Sequence, residues 1–419
     1  QLTVGRAAPR RGPLVVVPAD RAAAVAHDDE QRWAAWSSRL HVPAEHRHAV
    51  TRSLITLRLL TYSPSGAPVA APTTSLPELV GGTRNWDYRF AWPRDASLGI
   101  TAFLAAEQPE QARAFMFWLL HATRLTRPRL AVLFTLLGQP GPPEHVLDDW
   151  PGYADSRPVR RGNAASAQHQ LDGYGWVLEG AWRLQEAGHP LYPETWRTMA
   201  ALADHVATAW RLPDAGIWEK RGPQAHHVHS KLMAWLALDR AIHIAVGRRT
   251  RPRGRLDRWV RHRDALAADV REKGYDAAAG TYTATYGSAD VDAALLLLPR
   301  LGFDPPGSPP ARGTVDAVRA RLGAGPLVYR YVPGTDGLPG GEAAFLPCSF
   351  WLVEALALTG RRDDAAQLFD ELCTLGGPLG LYGEEMDPTT REHLGNYPQA
   401  LTHASLVHAA VALEAASPA

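Results

Sequence analysis

Residues 164–210 read AASAQHQLDGYGWVLEGAWRLQEAGHPLYPETWRTMAALADHVATAW. Leu171, Leu178, Ala181 and Leu184 recur at helical spacing, so 164–187 reads as a helix with one apolar face. A second helical run over 191–210 follows after a short connection, and the pair makes a helical hairpin. Working outward, the same texture continues: Val50, Leu54, Leu57 and Leu60 mark another helix. About twelve segments read this way, near 44–61, 94–106, 108–124, 164–187, 191–210, 228–246, 254–273, 287–299, 311–323, 345–359, 362–375 and 397–416.

Short connections such as Glu107–Glu110 and Gly360–Arg362 alternate with long Gly-, Pro- and Trp-rich loops: Tyr62–Pro93, Gly138–Gly162, Gly302–Gly313, Gly325–Gly341 and Gly376–Tyr397. Loops this long are uncommon inside a compact domain unless they do something. Hairpins with one elaborate loop per pair predict an all-α closed double ring of helices, its long loops gathered into a pocket at one end. An open solenoid is the alternative, but no repeated sequence period supports it. Residues 1–28 stand apart as an arm or the remnant of a preceding β domain, with a β-prone run at Leu14–Val17. The helical domain is expected over 29–419.

Composition narrows the function. Hydrophobic residues make up 46% of the chain and charged residues 21%, an ordinary globular balance. A formal net charge of +1 gives no bulk electrostatic reason to bind nucleic acid or an anionic membrane. The basic stretch Arg248–Arg263 reads as a solvated helix face. No apolar run is long enough to span a membrane. Cys348 and Cys373 are too few for a disulfide framework and read as thiols in helices. No signal peptide is visible, so the expectation is a cytoplasmic protein, although the chain opens on Gln1 rather than Met.

Three loop segments carry candidate chemistry. In 82–96, GTRNWDYRFAWPRDA, Arg94 offers a fork of donors beside the acceptor Asp95, which suits vicinal sugar hydroxyls; Asp95 is equally a helix cap. In GIWEK, Glu219 beside Trp218 has the apolar setting that keeps a general acid protonated; a surface ion pair with Lys220 or Arg221 explains it as well. In GLYGEEMDP, Glu384, Glu385 and Asp387 share a glycine-rich loop; such carboxylates are usually just solvated. Two carboxylates from separate loops meeting in one pocket would supply the acid and base of glycoside hydrolysis. Trp86, Trp92, Trp150 and Trp218 lie in loops, where indole faces suit sugar stacking. His226, His227 and His229 lack the company of any metal-binding spacing and read as structural, and no serine-hydrolase elbow or phosphate loop is present. Neither a metal nor a cofactor is expected.

The segments GGTRNWDYRFAWPRDAS, SRPVRRGNAA, GIWEKRG, HVHSKLMAWLALDRA, YRYVPGTDGLPGGEAAFLPCSFWLVEAL and GLYGEEMDPTTREHLGNYPQALTH, in this order from about residue 30 onward, resemble the glucoamylase-type glycoside hydrolases of family 15. That family also holds glucodextranases and bacterial trehalases. The resemblance implies an (α/α)6 barrel and exo-acting hydrolysis of α-glucosides or oligosaccharides with inversion, releasing β-glucose without a cofactor. It implies Glu219 as general acid and Glu384 as general base, with Glu385 helping to fix the water and sugar. Arg94 and Asp95 would grip the terminal sugar, Tyr88 and Trp92 line that subsite, Arg330 contact sugar near the cleavage point, and Trp218 wall the pocket. Three features depart from the family's pattern. Residues 1–28 are expected to hold at most a stub of its N-terminal β-sandwich, Pro93 stands inside the sugar-gripping motif, and Tyr382-Gly383 precedes the expected base. They motivate an alternative, a member acting on, or binding without hydrolysis, a glycosylated small molecule in a biosynthetic pathway.

Overall fold

The computed structural model describes residues 18–247 and 253–417, which divide into two compact units between His41 and Val42. The first unit contains helix α1 (Ala19–Ser37), an alanine-rich helix that runs through position 28; the β-prone run Leu14–Val17 lies outside the described residues.

The second unit is a double ring of helices. They are α2 (Arg47–Leu59), α3 (Pro93–Ala105), α4 (Pro109–Thr123), α5 (Asp172–Glu186), α6 (Pro193–Ala209), α7 (Val228–Val246) and α8 (Arg253–Lys273). A 3-10 turn, Ala293–Leu297, then runs into the short α9 (Leu298–Leu301), followed by α10 (Pro309–Leu322), α11 (Leu346–Leu358), α12 (Arg362–Thr374) and α13 (Ala400–Ala415). Packing runs α3 to α5 to α7, through the 293–301 segment to α11, then to α13 and back to α3, which closes the inner ring. Helices α2, α4, α6, α8, α10 and α12 lie outside it, each against an inner neighbour. This is an (α/α)6 barrel.

The sequence dictates which helix goes where. In α11, 12 of 13 residues are buried, and a helix apolar all round has to sit inside. In α12 only Ala365, Leu368, Phe369 and Leu372 are buried, a stripe at i, i+3, i+4 and i+7 that suits the outer layer. Polar ties cross the inner ring: Arg240 Nε donates to Glu179 Oε2 at 2.5 Å between α7 and α5, and Trp351 Nε1 to Ser405 Oγ at 2.9 Å between α11 and α13.

Two expected helices start later than their periodicity suggests. The 164–187 segment is a 3-10 turn, Ala164–Ala167, and then α5 from Asp172, because the Leu171 N–H is taken by Asp214 Oδ2 at 2.8 Å instead of a carbonyl one turn back. The 287–299 segment begins at Ala293, where the Asp292 carboxylate caps the Ala294 N–H at 2.8 Å. Residues 248–252 of the basic stretch lie outside the described residues; the rest belongs to α8, where Arg255 and Arg258 pair with Asp204 of α6. Cys348 and Cys373 are free thiols in α11 and α12, and no described helix is long and apolar enough to cross a membrane.

The long loops 62–92, 124–171, 210–227, 323–345 and 375–399 enter the N-termini of α3, α5, α7, α11 and α13. They therefore meet at one pole of the ring. The positive ends of those helix dipoles converge there, a favourable setting for carboxylates.

Candidate active site

At that pole a pocket open to solvent spans about 890 Å³, lined among others by Tyr88, Trp92, Arg94, Asp95, Trp218, Glu219, Arg330 and Glu384. Eight of the nine side chains to which the resemblance gives a role thus line one pocket. Glu385 does not: it is wholly buried, and its carboxylate lies behind Arg330, with Oε1 2.8 Å from Nη2. Of the four loop tryptophans, Trp86, Trp92 and Trp218 line the pocket, whereas Trp150 is 63% exposed and lies elsewhere.

The 62–92 loop presents its aromatic residues through extended backbone. Ser75, Ala71 and Ala70 N–H groups donate to the carbonyls of Trp86, Tyr88 and Phe90, so the chain there is strand-like and Trp86 and Tyr88 share a face. Asp87, on the other side, is consumed structurally by Arg89 at 2.8 Å and by the Gly162 N–H at 3.0 Å. Pro93 is the first residue of α3, where no N–H is needed, so it fits the motif without disturbing it. Arg94 Nε donates to Asp95 Oδ1 at 2.9 Å and Nη1 to the Ile217 carbonyl at 3.3 Å, which ties the first turn of α3 to the loop carrying Glu219.

That loop is closed by paired backbone bonds between Asp214 and Ala225, each 3.0 Å. Lys231 of α7, 1% exposed, donates to the carbonyls of Trp210 and Leu212, both at 2.6 Å, and anchors its entry. Trp218 Nε1 donates to Asp292 Oδ1 at 2.8 Å, fixing the indole against Phe345 and Trp351. Glu219 itself has a φ of +57°, a left-handed conformation that a residue with a Cβ adopts only under constraint, at a cost of ~1–3 kcal/mol. Its Oε1 accepts from Trp92 Nε1 at 2.7 Å. Burial raises the Glu219 pKa above the ordinary carboxylate range, partly opposed by Arg94 and the Trp92 hydrogen bond.

Glu384 precedes a short three-stranded sheet in which Glu385–Met386 pairs with Ala344–Phe345 and His393–Leu394. Its carbonyl accepts from the Leu346 N–H at 3.0 Å, and Thr402 Oγ1 donates to the Gly383 carbonyl at 2.9 Å, so α11 and α13 hold the loop from two sides. Tyr382 is buried and its hydroxyl donates to the Leu372 carbonyl at 3.1 Å, an anchor on α12. Glu384 Oε1 accepts from Tyr88 OH at 2.6 Å; Oε2 accepts from no side chain among the described residues and faces the backbone at Gly395.

Sequence reading missed the ionic frame behind Glu384. Arg330 donates through Nε to Glu342 Oε1 at 2.5 Å and through Nη2 to Glu78 Oε2 at 3.1 Å. Glu78 also accepts from Trp86 Nε1 at 2.7 Å, and Arg84 pairs with Asp336 at 2.5 Å. Two guanidinium groups therefore face the buried carboxylates of Glu78, Glu342, Glu384, Glu385 and Asp336. Burial and the Glu78 charge push the Glu384 pKa up, opposed by Arg330 and Tyr88. Only a spare acidic residue in an apolar loop, as in the LPEL around Glu78, hinted at this frame.

His227 and His229, at the start of α7, are held by burial at about 4 and about 3, so both are neutral imidazoles at physiological pH. Among the described residues no group of three or more His, Cys, Asp or Glu is placed to hold a metal ion.

A helical barrel with buried carboxylates, aromatic walls and an arginine–aspartate pair at its loop pole places the chain in the class of glycoside hydrolases. Residues 44–411 match the profile of Glycosyl hydrolases family 15. The chain is 34% identical over 385 residues to a trehalase of Thermoplasma volcanium, covering 92% of this chain and 61% of that protein. It is 38% identical over 386 residues to a trehalase of Mycobacterium tuberculosis, covering 90% and 56%. The chain thus spans about three fifths of the length of these curated relatives. A bacterial glucoamylase complexed with acarbose shares the fold with a TM-score of 0.74 at 16% identity, over 94% of this chain and 60% of that one. A glycosidase in complex with glucose shares it at 0.70 and 20% identity, over 88% and 97%. The chain belongs to glycosyl hydrolase family 15.

Proposed function

We propose that this protein hydrolyses α-glucosides from their non-reducing end with inversion, releasing β-glucose. The observation that carries the reading is the pair of buried glutamates, Glu219 and Glu384, delivered to one pocket by separate loops and each held at Oε1 by an aromatic donor. Arg94 and Asp95 grip the hydroxyls of the terminal sugar, with Tyr88 and Trp92 against its ring. Glu219 carries the proton, as its raised pKa supports, and passes it to the glycosidic oxygen as the bond to the anomeric carbon breaks. Glu384 takes a proton from the water that attacks the opposite face. Arg330 offsets charge beside the base, and Glu385 holds Arg330 from behind. Trehalose leads among the substrates because relatives named trehalase are similar over most of this chain.

Trehalose, maltose and isomaltose are each incubated with the enzyme while proton NMR follows the anomeric signals. From trehalose, inversion is expected to give α- and β-glucose in equal amounts ahead of mutarotation, because the leaving glucose keeps its α configuration; from maltose or isomaltose, β-glucose is expected beyond what the reducing-end unit contributes. α-Glucose alone from trehalose refutes inversion, and no glucose from any of the three refutes the hydrolytic reading.

A further inference from the structure

The geometry points to Gln168 as a positioning residue for the acid, one that clamps the consecutive carbonyls of Glu219 and Lys220 and so holds Glu219 in its left-handed conformation. This rests on the reading of Glu219 as the general acid.

A left-handed glutamate persists only where its surroundings over-determine it. The bridge between Asp214 and Ala225 closes the loop at its ends, five and six residues away from Glu219, and leaves the backbone at Glu219 itself to other groups. Within the loop the Glu219 N–H reaches the Gly216 carbonyl at 3.3 Å, a long bond. The two carbonyls that follow are met from outside: Gln168 Nε2 donates to Glu219 O at 3.0 Å and to Lys220 O at 3.2 Å. Both hydrogens of one amide are thus spent on consecutive carbonyls, which fixes the orientation of the peptide between them.

The amide has only one workable orientation. Two carbonyl acceptors demand the NH2 end, and the Oε1 end accepts from Gln170 Nε2 at 3.1 Å. Gln168 stands on firm ground, since its own N–H closes the 3-10 turn on the Ala165 carbonyl at 3.0 Å, and the neighbouring His169 carbonyl accepts from the Ala215 N–H at 3.0 Å. It also lines the pocket, so the clamp acts beside the carboxylate it aims. Without it the 219–220 peptide is free to leave the left-handed region. Glu219 then swings off Trp92 Nε1 and becomes wetter, and its raised pKa relaxes toward the ordinary range.

The test uses Gln168→Met, which keeps the length and removes the donors, with thermal unfolding run in parallel. On the disaccharide the enzyme cleaves, kcat is expected to fall by at least about tenfold while KM stays within about twofold. The high-pH limb of the kcat/KM profile moves to lower pH, because a wetter Glu219 loses its proton earlier. On α-glucosyl fluoride, whose leaving group departs without a proton, the loss is smaller. Gln170→Met, which releases only the orientation of the Gln168 amide, gives a weaker version of the same pattern and serves if Gln168→Met does not fold. An unmoved high-pH limb, or equal losses on both substrates, overturns the positioning role. Glu219→Gln assayed alongside separates the two ideas: full activity there refutes Glu219 as the acid, whereas lost activity there with an unchanged clamp variant refutes only Gln168.

Discussion

Tyr88 and Trp92 pack edge to face with their ring centroids 5.5 Å apart, and each gives its polar hydrogen to a different glutamate, Tyr88 to Glu384 and Trp92 to Glu219. Two carboxylates 165 residues apart in sequence, from Glu219 to Glu384, are thereby referred to one five-residue stretch, Tyr88 to Trp92, that leads into α3. Tyr88→Phe and Trp92→Phe each keep an aromatic ring and remove one donor. A hydrogen bond to a charged or reacting group contributes about 1.5–3 kcal/mol, so each variant should lose roughly tenfold to a hundredfold in kcat. Because the rings lean on each other, the double variant is expected to lose less than the product of the two, measurable in a steady-state cycle.

Glu219→Gln and Glu384→Gln should each lose about 10²–10⁴-fold in kcat, the usual worth of a general acid or base. The melting temperature should hold or rise, since an amide in either position removes a buried ionisable group that the fold desolvates at a cost. Near-full activity of Glu384→Gln would remove that residue from the role of base.

How far the sequence reached is clear from where it stopped. Helices α11 and α13 announce themselves as inner because they are apolar on every side, and the stripe on α12 marks it as outer. The start of α5 was hidden because the competing acceptor, Asp214, comes from another loop. Glu219 and Glu384 became legible through family motifs, since residue chemistry alone left each with a bland explanation. Glu78 carried no such mark: its partner Arg330 lies 252 residues away, and no local pattern encodes a contact across the ring. The α1 helix was passed over because its alanine-rich run has helix propensity without a broad apolar stripe.

Glu78→Gln tests the ionic frame. As the proposed base, Glu384 has to be ionised to act, and burial together with the Glu78 charge holds its pKa above the ordinary value. Activity therefore falls as pH drops through that raised pKa. Removing the Glu78 charge lowers it, so the low-pH limb of kcat/KM should move further down in pH. The high-pH limb, which the proposed acid Glu219 would set, should stay in place. A rate profile from acid to alkaline pH reads both limbs, and a low-pH limb that stays put would show that Glu78 does not act on the base.

Gly395 offers a steric test. Its φ is +71°, and a Cβ placed there would stand 2.7 Å from Glu384 Oε2 and 2.8 Å from Glu384 Cβ. Gly395→Ala should thus displace Glu384, the proposed base, and abolish most of the activity, beyond the ~1 kcal/mol of backbone strain. Gly360→Ala is the matched control, with φ +84° and nothing within 4 Å of an added Cβ. It should show a similar loss of stability by thermal melting and keep its kcat.

The inner ring can be tested apart from the site. Arg240 binds Glu179 across α7 and α5, donates to Asp239 Oδ2 at 2.6 Å, and covers the Trp182 ring at 4.3 Å. Glu179 is buried, and its pKa stays below the ordinary value because Arg240 and Arg183 outweigh its desolvation. Arg240→Met leaves that carboxylate with Arg183 alone, at an expected cost of about 3–5 kcal/mol in urea unfolding, as for other broken buried pairs. Glu179→Gln in the same chain removes the stranded charge and should recover much of that loss. Recovery would show that the penalty comes from an unpaired buried charge, while its absence would place the cost in the packing of Arg240 over Trp182 and against the Leu301 carbonyl.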